Sequence, residues 1–229
     1  MKRRQFTRAA GAAAAAAAWG HVLPAAAALG IDDATAGVRL ALERGAASAV
    51  SLLGREDGFL ANPKVRIPLP GLLEEAGRLL SSLGQRKRVD ELVTAMNRAA
   101  EQAVPQAREL LVQAVRDMSV EDAVDIVRGG STSVTDFFAR KTRLPLGERF
   151  LPIVTRATER VKLAERYNAF ASRASRLGLV KSEDADLPGY VTGKALDGLY
   201  LMIGEEEQRI RADPAKTGSA ILKKVFGGR

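Results

Sequence analysis

The chain has 229 residues, 35 of them basic and 27 acidic, with one histidine and no cysteine. The histidine, His21, and the only tryptophan, Trp19, both fall within the first 30 residues. The rest therefore has no side chain that titrates near neutrality in its free state and no thiolate, which excludes disulfides, histidine or cysteine catalysis and an ordinary zinc site. The net charge of +8 is inflated by four basic residues in the first 28, and the remainder carries about +4.

Lys2, Arg3, Arg4 and Arg8 precede an apolar run from Ala9 to Trp19, and small residues follow at Ala25 to Ala28. This order of basic, apolar and small residues predicts a cleavable export signal over residues 1–28. Arg3-Arg4-Gln5-Phe6 is similar to the core of a twin-arginine signal, although Thr7 stands where leucine is usual and Arg8 where lysine is usual. The general secretory route is the alternative. The apolar run falls well short of the roughly 20 residues needed to span a bilayer, so no transmembrane segment is predicted. With no cysteine for lipid attachment, a soluble periplasmic product is expected.

Residues 29–229 read as one helical domain, large enough to bury a core. Asp32 or Asp33 can cap a first helix running to Leu53, with Val38, Leu42, Ala46, Ala49, Val50 and Leu53 on one face and Gly54 as its stop. From Arg55 to Pro70, Gly58 and Pro63, Pro68 and Pro70 forbid a regular helix. Val65, Ile67 and Leu69 alternate there with outward residues, which suits an extended segment or a very short strand. Helical periodicity returns from Gly71 to Leu83 and from Val89 to Val104. Pro105 suits the first turn of a helix ending near Met118. Ser119, followed by Glu121 and Asp122, opens a short helix that Gly129-Gly130 closes. Further helices are predicted at Val134 to Thr142, Leu146 to Val161, Leu163 to Leu177, Tyr190 to Ala212 and Pro214 to Phe226. The fold class is thus all-α, a single-domain helical bundle with one long proline-rich ordered loop.

The segment Asn62-Pro63-Lys64-Val65-Arg66-Ile67-Pro68-Leu69-Pro70 is the least generic part of the chain. With Met96-Asn97-Arg98-Ala99-Ala100-Glu101, Phe138-Ala139-Arg140-Lys141-Thr142, Phe150-Leu151-Pro152-Ile153-Val154 and Tyr190 to Leu199, it resembles the bacterial exported proteins grouped as domain of unknown function 4197. The resemblance covers the mature chain in order and implies an export signal and a mostly helical domain. It implies no activity and no site residues.

Four groups of residues are candidates for function. In the loop, Asn62 and Arg66 can present donors to an anion; alternatively Phe59, Val65, Ile67 and Leu69 plug the bundle while the prolines set the path. Asn97 and Glu101 share a helix face and can orient a ligand or contribute to a hard cation site, or hydrogen-bond the loop or a neighbouring helix. Glu206 edges an apolar stripe and Asp197 lies among apolar residues. Each is either a carboxyl group with a raised pKa, available for catalysis, or half of an ion pair with an arginine such as Arg66. Glu205 with Arg209, and Glu207 with Arg211, are expected to form a solvated face.

The last candidate is charge. Arg140 to Lys181 holds 11 basic and three acidic residues, and Arg166, Arg173 and Arg176 lie outside the apolar stripe of its last helix. This segment either docks on anionic lipid head groups or an acidic envelope protein, or balances acidic helices within the fold. Export argues against nucleic acid as partner. No Gly-x-Ser-x-Gly, phosphate loop, dinucleotide fingerprint or Ser-x-x-Lys motif occurs in the mature chain. No catalytic residue, metal or cofactor is assigned, and the sequence points to binding rather than catalysis. A carboxylate-dependent periplasmic enzyme and a binder of an apolar ligand between helices are the alternatives.

Overall fold

In the computed structural model, residues 31–71, 73, 74, 78, 81–130, 132–162, 164, 165, 167, 168, 186–220 and 223 are described. The predicted export signal and most of the predicted Leu163 to Leu177 helix lie outside them. The described residues form six α-helices and no strand: α1 (Ile31–Leu53), α2 (Arg86–Ala103), α3 (Ala107–Arg116), α4 (Val120–Arg128), α5 (Ser133–Glu159) and α6 (Leu187–Ala212). The chain is an all-α single domain, as its periodicity predicts.

Helix α1 ends where Gly54 stops it, its N–H returning to the Val50 carbonyl at 2.9 Å, and buries the apolar stripe predicted for it. Helix α4 is opened by a reciprocal cap: Ser119 Oγ accepts from the Asp122 N–H at 3.0 Å, and Asp122 Oδ2 accepts from the Ser119 N–H at 3.2 Å. These two bonds satisfy donors that a helix start otherwise leaves without partners. Before α2 the chain kinks at Leu83 and Gly84, the latter at a φ of 76° that favours glycine.

Helix α6 is central, packing against α1, α2 and α5. It runs antiparallel to α5, since Gly204 faces Thr135 and Asp197 meets Arg143. Between them the Tyr200 hydroxyl lies 3.0 Å from Thr142 Oγ1. Thr142 gives its own proton to the Phe138 carbonyl, so Tyr200 is the donor. Burial pushes the Tyr200 phenol upward from its ordinary pKa.

Helix α5 corrects an expectation. It is one continuous helix of 27 residues, where the sequence predicts two, separated by Arg143 to Pro145. Pro145 and Pro152 leave the carbonyls of Lys141 and Glu148 without helical partners, but both belong to exposed residues, where water can replace the missing bond. What holds the helix together is a row of buried residues at four-residue steps: Val134, Phe138, Thr142, Leu146, Phe150, Val154 and Thr158. Each step turns about 40° around the axis. The row therefore winds past half a circle, facing different neighbours in turn among α2, α3, α4 and α6. Read in short windows, its two halves look like separate helices with separate faces.

Candidate functional site

The loop after α1 shows how polar residues near the core are used. Gly58 N–H returns to the Arg55 carbonyl at 3.1 Å, and a Cβ at Gly58 would sit 2.5 Å from the Leu53 carbonyl oxygen, so the turn needs glycine. Phe59, Val65 and Ile67 then drop into the core. Helix α6 makes room for them at Gly198, where a Cβ would lie 2.9 Å from the Phe59 ring and 3.1 Å from Val65.

The polar row on α2 clamps this loop from one side. Glu101, 4% exposed, accepts the N–H groups of Phe59 and Leu60 on Oε1 at 3.0 and 3.1 Å. Its Oε2 takes Arg98 Nη1 at 2.6 Å, while Arg98 Nη2 reaches Asp57 at 2.8 Å and Glu56 at 3.2 Å. Asn97, fully buried, treats Ile67 as a neighbouring strand would. Its Oδ1 accepts the Ile67 N–H at 2.8 Å, and its Nδ2 donates to the Ile67 carbonyl at 3.0 Å and to Val93 at 2.8 Å. This explains why an alternating segment has no sheet: a side-chain amide satisfies the residue that a strand would have paired. The oxygens of Asn97 and Glu101 are thus occupied by donors, and the hydrogen-bonding alternative for this pair is the one the structure supports.

Asn62 is also a builder of the loop. Its Oδ1 accepts from the Lys64 N–H at 3.2 Å and its carbonyl from Val65 and Arg66 at 3.2 and 2.9 Å. Arg66 points outward and is exposed. Neither carboxylate on α6 pairs with it: Asp197 bonds Arg143 at 2.8 Å and Glu206 bonds Arg209 at 2.8 Å.

The acidic run on α6 differs from expectation. Glu207 and Arg211 do pair, but not on a solvated face. Glu207 is 2% exposed, and Arg211 Nη2 also donates to the Ile126 carbonyl of α4 at 2.7 Å. Glu205 turns to Lys64 of the loop at 2.8 Å instead of to Arg209. The signal for Glu207 was present in the sequence: it stands four residues after Ile203 and three before Ile210, inside the buried stripe. Every carboxylate buried in the described core is thereby held by an arginine.

The basic segment is only partly paired: Arg140 and Arg156 on α5 are exposed and have no carboxylate partner among the described residues. Along α5, Lys141 meets Asp122 at 3.6 Å, Arg143 meets Asp197 and Arg149 meets Glu109 at 3.5 Å. These three cations balance acidic helices within the fold. The side chains of Arg166, Arg173 and Arg176 lie outside the described residues. Just past the end of α5, Arg160 and Lys162 are different: they face the first turn of α2 across an open groove of about 950 Å³, whose other cations are Arg86, Lys87 and Arg88. Arg86 is 3.7 Å from Asp90. Lys87, Arg88, Arg160 and Lys162 have no carboxylate partner among the described residues, and all four are exposed. Three cations and no acid in the first turn of α2 oppose the helix dipole, an arrangement that costs stability. Sequence reasoning missed this site: the Arg86-Lys87-Arg88 run was visible, but its meeting with Arg160 and Lys162 is tertiary.

The family model described as protein of unknown function (DUF4197) matches residues 28–227. No curated protein and no solved structure is significantly similar to the chain.

Proposed function

Starting from the chain's membership of this family, whose description carries no activity, we propose that it is an exported, non-catalytic module that docks on the anionic lipid head groups of the cell envelope. One observation carries the reading: four cations from two separated segments, Lys87, Arg88, Arg160 and Lys162, converge on one groove with no carboxylate partner among the described residues. Charges left unpaired and gathered from distant positions raise the local potential and attract an anionic surface. Arg166, Arg173 and Arg176 belong to the same basic segment and extend this reading in sequence. The carboxylates favour it over the enzyme alternative, because its candidate acids Asp197 and Glu206 are each in an ion pair, with Arg143 and Arg209, and Glu101 and Glu207 are committed to internal partners. No described helix is long and apolar enough to cross a membrane, which is compatible with attachment by charge.

Flotation with phosphatidylglycerol vesicles tests the docking. Reversing Lys87, Arg88, Arg160 and Lys162 to Glu should weaken binding by more than tenfold, since each basic residue near an anionic surface is worth about 1 kcal/mol. Wild-type binding should fade as salt rises and be negligible on phosphatidylcholine. Binding that is unchanged by the reversals would end the reading. The export half rests on the leader: changing Arg3 and Arg4 to Lys should retain the protein in the cytoplasm on fractionation. Undiminished periplasmic protein would refute the twin-arginine route.

A further inference from the structure

The groove is more than a charged surface. Between its cations the wall is Thr94, Ala95 and Val161, with Ala95 and Val161 half-buried. A flat patch suffices for docking on a bilayer, whereas this concavity of about 950 Å³ is within the range of small-molecule sites, roughly 300–1,000 Å³. A cationic mouth over a small apolar wall matches a molecule with an anionic head and one hydrocarbon chain. Arginine forks onto phosphate through two parallel bonds, and Arg88 and Arg160 come from opposite sides of the groove. Asp90 and Glu91, also on its rim, disfavour a purely anionic solute that brings no apolar contact of its own.

We infer that the groove between the start of α2 and the end of α5 binds one single-chain lipid with a phosphate head group, of the lysophospholipid class. The inference rests on the docking reading and adds to it a discrete, stoichiometric ligand. Dodecyl phosphate below its micellar concentration is the probe, titrated calorimetrically into the purified protein. It should bind one per chain, at least tenfold tighter than inorganic phosphate. Lys87→Glu with Arg160→Glu should weaken it at least tenfold. Thr94→Trp, at an exposed position that tolerates a larger side chain, fills the groove while leaving the cations in place. It should weaken dodecyl phosphate to the level of inorganic phosphate and leave phosphatidylglycerol flotation unchanged. Dodecyl phosphate binding no better than inorganic phosphate, or binding unaffected by Thr94→Trp, overturns the inference. If flotation by the wild type persists in either case, the docking reading survives without it.

Discussion

Helix α2 carries polar residues at both ends and treats them in opposite ways. At its C-terminal end Asn97, Arg98 and Glu101 are buried or half-buried, and their oxygens and nitrogens are engaged with the loop and with one another at 2.6 to 3.2 Å. At its N-terminal end Arg86, Lys87 and Arg88 are exposed, and the latter two face a groove without partners. The first arrangement stabilises because a buried polar group left unpaired is costly. The second costs stability, because cations at a helix start oppose the dipole, and its charges are available to something else. The lesson is that polarity alone does not locate function. What distinguishes the two ends is whether the polar groups have been used.

The contrast is sharpest at Asn97. Asn97→Asp sets a carboxylate oxygen against the carbonyls of Ile67 and Val93, in place of the amide that donates to both. The expected loss is at least about 3 kcal/mol, lowering Tm by about 10 °C with no change in vesicle binding. Burial raises the introduced carboxyl's folded pKa above its unfolded value, near 4. The deficit relative to the parent should therefore be largest at neutral pH and above, shrink as pH falls through the raised folded pKa, and be smallest below about pH 4. Glu101→Gln keeps an acceptor for the loop but removes the charge facing Arg98, and should cost about 1–2 kcal/mol. Thermal melts at two pH values read both. A stable Asn97→Asp protein would break the comparison by showing that the clamp is not structural.

At the other end the expected effects reverse in kind and diminish in size. Asp90→Asn removes one of the two groove carboxylates and releases Arg86. Stability should stay within about 0.5 kcal/mol, while binding to phosphatidylglycerol vesicles tightens about fivefold, the equivalent of one charge at a membrane surface. A large fall in Tm would mean that this end, too, is structural.

The helices, the cap at Ser119, the stop at Gly54 and the buried side chains of the loop were legible because each depends on residues within one or two turns. The unity of α5 was not. Its buried row at four-residue steps drifts around the helix, and each half taken alone presents a different face. Asn97 and Glu101 were recognised as a shared face, but their partners are backbone groups 30 to 42 residues away. The groove was hidden for the same reason: Arg160 and Lys162 meet Arg86 to Arg88 only through packing. Pairing at Lys141, Arg143 and Arg149 shows how part of a basic stretch of sequence can be neutralised in three dimensions while Arg160 and Lys162 are not.

The clamp also sets which changes the loop can absorb. Asn97 and Glu101 recognise main-chain groups of Phe59, Leu60 and Ile67, and Asn62 uses those of Val65 and Arg66. Proline, which has no N–H, is therefore barred from those positions. It is found at 63, 68 and 70, between or beyond them. The outward side chain of Arg66 takes no part in the clamp, which uses only its backbone, so its identity is free to drift while the path stays fixed; Lys64 is tied further by its ion pair with Glu205. A loop held this way is a mounting whose exposed surface can be rewritten residue by residue without refolding the domain beneath it.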